Sequence, residues 1–133
     1  MNILRPFAIL AWISLPTVMF GGYSLLRLLI QGNQLTPFQV TQFRAGHAHA
    51  GVLLIMALAY VSYMSQTALV DGMKLVFAIV LVAGILAQSG GFFLHMMIGK
   101  PNTPSFGTTL TAVGAVLLAV SILALVYGLI TMP

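Results

Sequence analysis

The sequence predicts an all-α integral membrane protein, a four-helix transmembrane bundle with antiparallel up-down-up-down order. Of its 133 residues, 60% are hydrophobic and 5% are charged, whereas a soluble domain carries about 25% charged residues. Four segments are long enough to cross a bilayer core, which takes about 20 apolar residues. Their apolar runs are continuous, whereas the strands of a membrane β-barrel alternate in polarity. We therefore expect one transmembrane domain, 1–133, with the lipid bilayer as its main partner.

The predicted helices cover about residues 6–30, 38–65, 73–98 and 108–131. The first segment is long and lacks a small-residue cleavage site, so we expect a retained span rather than a signal peptide. Thr36 followed by Pro37 is typical of an N-cap and a first helical position, which predicts that the second helix begins before its apolar run. Four spans put both termini on one side of the membrane. The first and third loops lie on the other, which we call side B.

Charged residues are few, and their distribution excludes several classes of function. Five Lys and Arg against one acidic residue give a net charge of +4, too few cations for a nucleic-acid partner. Absence of cysteine excludes disulfides and thiolate metal sites. The one carboxylate, Asp71, lies in the second loop, away from side B, which excludes paired carboxylates and a Ser-His-Asp triad within the membrane. The sequence leaves open whether the protein is an enzyme.

Three histidines are the main candidates for function. His47 and His49 lie about one turn inside the second helix, and His95 lies about one turn before the end of the third helix. Because the two helices run in opposite directions, all three should reach a similar depth below side B. Residues two apart on a helix point about 200° away from each other, so His47 and His49 cannot bind one ion together. We expect His49, on the more polar stripe, to face the bundle.

These residues suit a metal-containing cofactor. Neutral imidazole is a common ligand of haem iron, zinc and copper. His49 and His95 could supply the two axial ligands of a haem b between facing helices, with His47 as a further candidate ligand. Zinc or copper on the same histidines is the alternative. The haem propionates need cations near the interface, and Arg27, Arg44 and Lys100 are all near side B. Simple hydrogen bonding of the histidines to neighbouring helices is the other interpretation.

The stretch from His47 through Ala48 and His49 into "AGVLL" resembles one helix of the catalytic subunits of haem-copper oxidases and nitric oxide reductases. In those proteins, histidines two apart bind different haems on opposite helix faces. The resemblance implies haem binding and does not extend to oxygen or nitric oxide reduction, because the other metal-binding histidines are missing here. As a whole the chain resembles small four-helix bacterial membrane proteins that carry His-x-His on the second helix, and this implies a bacterial inner membrane.

The sequence therefore leads to three functional hypotheses. The first is a bis-histidine haem b protein for electron transfer or haem handling. The second is a non-enzymatic accessory subunit, whose small-residue helix faces pack on a larger membrane complex or on further copies of the chain. The third is a small transporter of metal ions or solutes, which ranks last because a transport route usually contains more polar groups within the membrane.

Overall fold

The computed structural model describes residues 3–32 and 35–131, which form four helices: α1 (Arg5–Ile30), α2 (Pro37–Gln66), α3 (Asp71–Ile98) and α4 (Phe106–Ile130). All four are long and apolar enough to cross a membrane. The predicted all-α, four-helix membrane bundle is confirmed. The helix ends lie within two residues of the predicted ones.

The two helices that begin at side B each start with a side-chain cap. Thr36 and Gln39 form a reciprocal capping box at the start of α2, with Pro37 in the first turn. Ser105 and Thr108 form the equivalent box at the start of α4. These bonds satisfy backbone N–H groups that have no partner within the helix. The expected N-cap at Thr36 is therefore present.

The helices pack in a fixed order. α3 packs against α2 on one side and α4 on the other, and α1 packs mainly against α2. Apolar side chains of α2, α3 and α4 form most of the core, including Leu53, Ala57, Leu81, Ile85 and Leu118. Many large apolar residues on the outer faces are exposed, such as Phe20 and Leu123. In a membrane these faces contact lipid, as the composition predicts.

Glycines bring the backbones of α3 and α4 into contact. A Cβ added to Gly107 would overlap the backbone of His95 and Gly91, and one added to Gly114 would overlap the backbone of Gln88. A row of small residues, Thr108, Ala112, Ala115 and Ala119, also looks from the sequence like the packing face of α4. Within the bundle, however, the three alanines are exposed, and the glycine row forms the contact of α4 with α3.

α2 and α4 are joined at the end of the bundle opposite side B. Tyr60 Oη lies 2.9 Å from Ser121 Oγ, and Ser121 Oγ lies 2.8 Å from the carbonyl oxygen of Phe77. Since a serine has one proton and a carbonyl only accepts, Ser121 donates to Phe77 and Tyr60 donates to Ser121. Near side B, by contrast, an open cavity of about 230 Å³ lies between α2 and α4.

Candidate functional site

The ring of His49 is held by a hydrogen bond within its own helix. Its Nδ1 lies 2.8 Å from the carbonyl oxygen of Ala45, one turn earlier on α2. Because a carbonyl can only accept, the proton of the neutral ring lies on Nδ1, and Nε2 keeps its lone pair. The ring packs on Phe92 of α3, with centroids 4.7 Å apart. A hollow of about 160 Å³ lined by Ala48 and Val52 adjoins it. His49 therefore presents a free nitrogen ligand beside open space.

His95 lies where three helices meet at side B. Its side chain is buried, at 7% exposure, and its ring makes an edge contact with Phe38 at the start of α2, with centroids 5.1 Å apart. Its Nδ1 lies 2.8 Å from Ser105 Oγ, the N-cap of α4. The same Ser105 oxygen accepts the backbone N–H of Gly107 at 3.1 Å. His95 thus ties the end of α3 to the starts of α2 and α4.

The Ser105 hydroxyl determines the tautomer of His95. Within residues 3–32 and 35–131, His95 Nδ1 is the one hydrogen-bond acceptor found for the hydroxyl proton of Ser105. Ser105 therefore donates to Nδ1, and the neutral ring carries its own proton on Nε2. In their neutral forms His49 thus presents a lone pair at Nε2, whereas His95 presents an N–H at Nε2.

A cavity with several polar side chains lies beside His95. It lies between α2 and α4 with α3 as its floor, measures about 230 Å³, and is lined by Gln42, Phe92, His95, Thr108 and Thr111. We call it the side-B cleft. Phe92 both lines the cleft and packs on the ring of His49. Phe92 therefore contacts His49 and lines the same cleft as His95.

The two histidines differ in depth. A Cβ on Gly46 would lie 3.1 Å from the Cβ of Phe92, so these residues mark the same level on antiparallel helices. His49 is three residues further into the bundle and His95 three residues further out, about 4.5 Å each at the helical rise of 1.5 Å. The offset of about 9 Å along the helix axes differs from the common level that we expected from the topology. Close contact at Gly46 determines this register.

His47 faces another helix. Its Nε2 would lie 2.8 Å from a Cβ placed on Gly22 of α1, and its ring stacks on Phe43 at 6.2 Å. No hydrogen bond to this ring is present within the described part of the chain. The His-x-His pair is thus divided between two sides of α2, with His47 filling the contact between α1 and α2.

The three candidate cations are exposed. Arg44 precedes the buried Gly46 by two residues, and Arg27 follows the buried Leu25 by two residues, so each points about 200° away from the packed face of its helix. Lys100 lines a separate open cavity of about 530 Å³ at the mouth of side B. The position of Arg27 and Arg44 on their helices directs them away from the side-B cleft.

Within residues 3–32 and 35–131, no three or more histidine or acidic side chains are grouped closely enough to hold a metal ion. His47 and His49 lie on different sides of α2, and His49 and His95 differ in depth by about 9 Å. A zinc or copper ion on all three would therefore require rearrangement, whereas a cofactor that needs one imidazole would not. Searches against protein-family models, curated proteins and solved structures find no match for this chain.

Two residues of the site were not predicted from the sequence. Gln42 lies seven residues before His49, which is two helical turns on the same face, so its position beside the cleft could have been found from this spacing. The role of Ser105 could not have been found from the sequence, because its contact with His95 depends on how the loop 99–105 brings the chain back to α3.

Proposed function

We propose that the protein binds haem b in the groove between α2 and α4, with His49 as an axial ligand, and serves in electron transfer or haem handling. The observation that carries the proposal is the bond from His49 Nδ1 to Ala45. This bond fixes the ring and leaves Nε2 as the ligand nitrogen, which is the arrangement that metal-bound histidines need. When bound, the haem would supply one-electron chemistry.

The surroundings of His49 suit a flat apolar group. Ala48 and Val52 of α2 line the hollow beside the ring. Phe92 supports the ring from α3 and limits its rotation. The chain's own contribution is to hold one imidazole at a defined angle in an environment without acidic side chains, since Asp71 is the only carboxylate.

Ligation of the second axial position by His95 remains a prediction. It requires the Ser105 hydroxyl to turn, so that the His95 proton moves from Nε2 to Nδ1. It also requires the two imidazoles to approach across the depth offset of about 9 Å. The spin state of the bound haem distinguishes the two possibilities, because two histidine ligands give a low-spin spectrum and one gives a high-spin spectrum. The proposed setting is a bacterial inner membrane, with both termini on the same side.

The experiment is haem reconstitution of the purified protein, followed by its absorbance spectrum and metal analysis of the same sample. We expect a Soret band that His49→Ala abolishes and that the control His47→Ala retains, because His47 faces α1. If His95 is the second ligand, His95→Ala converts a low-spin spectrum to a high-spin one. A wild-type protein that takes up no haem, or a His49→Ala variant that keeps the band, refutes the proposal. Stoichiometric zinc or copper would support the metal alternative, and a co-purified protein partner without cofactor would support an accessory subunit.

A further inference from the structure

The side-B cleft contains hydrogen-bonding groups that no other side chain or backbone group satisfies. The Gln42 amide has no hydrogen-bond partner among the residues that the structure describes. His95 Nε2 has none either, although the side chain is 93% buried. No fully buried side-chain nitrogen or oxygen in the described residues lacks a partner, so His95 Nε2 keeps some exposed surface, and the residue lines the cleft. The cleft is therefore lined by two residues with hydrogen-bond donors that have no partner, the amide N–H of Gln42 and the imidazole N–H of His95.

The other polar groups of the cleft are already engaged. Thr108 donates its hydroxyl proton to the carbonyl of Ser105 at 2.7 Å. Thr111 donates to the carbonyl of Gly107 at 3.0 Å. Both hydroxyls then offer only lone pairs, and no acidic side chain lines the cleft. The cleft thus offers two donors without a partner, the Gln42 amide N–H and His95 Nε2–H, beside acceptors on Gln42 and the two threonines. The two donors suit a carboxylate.

The cleft also has a definite position relative to His49. Gln42 lies on the same face of α2, about 10.5 Å closer to side B at 1.5 Å per residue, and His95 lies about 9 Å closer. A ligand with a metal at His49 and an acidic edge directed towards water would bring that edge to these two donors. Arg27 and Arg44, which we expected from the sequence to bind the propionates, point away from this groove.

We propose that Gln42 and His95 bind a haem propionate carboxylate in the side-B cleft and thereby set the orientation of the haem. This inference rests on the proposed haem site at His49. In it His95 acts as a hydrogen-bond donor through Nε2 instead of ligating iron, so a low-spin spectrum that His95→Ala converts to a high-spin one would overturn its role in this inference. The carboxylate of a fatty acid has the same chemistry, and the experiment separates the two sources.

The test compares the affinities of haem and haem dimethyl ester, measured by spectral titration of the full chain in detergent micelles. Because the ester partitions more strongly into detergent, the ratio of the two affinities is compared between variants. A hydrogen bond to a charged group contributes enough to expect Gln42→Leu to reduce the preference for free haem by about tenfold or more. Gln42→Glu should reduce it further through charge repulsion, while ester binding stays within about twofold. His95→Phe should reduce the preference as Gln42→Leu does.

Gln66→Leu is the matched control, because Gln66 is exposed at the opposite end of α2 and bonds within its own helix. It should leave the ratio unchanged, and so should Arg44→Gln. An unchanged ratio in Gln42→Leu, with a Soret band that still depends on His49, overturns this inference alone. Absence of that band with both haem forms overturns the proposed function and this inference together. Palmitate binding as tight as haem, and lost in Gln42→Leu, would assign the cleft to a fatty acid and overturn the haem assignment.

Discussion

Two adjacent glycines, Gly90 and Gly91, should respond oppositely to the same substitution. A Cβ on Gly90 would meet no atom within 4 Å. A Cβ on Gly91 would lie 2.6 Å from the carbonyl oxygen of Gly107 and 2.6 Å from the backbone nitrogen of Thr111. Thr111 Oγ1 also obstructs this position, but the other two atoms belong to the backbone, which cannot rotate away as a side chain can. Gly91→Ala must therefore push α3 and α4 apart.

The expected magnitudes follow from these contacts. Gly90→Ala should raise the free energy of unfolding by up to about 1 kcal/mol, the difference in helix propensity between glycine and alanine. Gly91→Ala gains the same helix propensity, but overpacking lowers its free energy of unfolding by about 1–3 kcal/mol or more. We expect the two variants to differ in stability by at least about 1 kcal/mol, with Gly91→Ala below the wild type.

The measurement is equilibrium unfolding of both variants and the wild-type protein in mixed detergent micelles, followed by circular dichroism. Gly72→Ala is a second control, because a Cβ at this exposed position near the start of α3 also meets nothing within 4 Å. Equal stability of Gly90→Ala and Gly91→Ala would refute the close approach of α3 and α4 and, with it, the position of His95.

Two further predictions concern polar contacts between helices. Ser121→Ala and Tyr60→Phe should each lower the free energy of unfolding by about 0.5–2 kcal/mol. The double variant should lose less stability than the two single variants added together, because both substitutions remove the same hydrogen bond. Additive effects in a double-mutant cycle would contradict the contact between Tyr60 and Ser121. In the protein without haem, ¹⁵N chemical shifts should show His49 protonated at Nδ1 and His95 protonated at Nε2. Ser105→Ala should remove the tautomer preference of His95 and leave that of His49 unchanged. If His49 and His95 carry their protons on the same ring nitrogen in the wild-type protein, the roles assigned to them are wrong.

The number and type of the helices could be predicted from composition alone. Four long apolar runs have no other stable arrangement in a bilayer, since every backbone group must find its partner within a helix. The start of α2 was also predictable, because Thr36 and Pro37 act on the nearest backbone groups. Both properties are local and do not depend on which helices later become neighbours.

The packing face of α4 was not predictable in the same way. The sequence contains two rows of small residues, one of alanines and one that includes Gly107 and Gly114. Either row could pack against a neighbour on spacing alone. The choice depends on the glycines of α3 opposite them, since two glycine faces together allow backbone contact. That choice also positions His95 against Ser105.

The sequence by itself determined four membrane-spanning helices and the division of His47 and His49 between two sides of α2, because chain composition and a rotation of about 100° per residue are properties of single segments. Only the tertiary structure decided the relative depths of His49 and His95, the contact of His95 with Ser105, and the meeting of Gln42 with His95 in one cleft. Each of these depends on contacts between segments far apart in the chain. Chief among them are the approach of Gly46 to Phe92 and the return of Ser105 to α3, and no single helix contains the information that determines them.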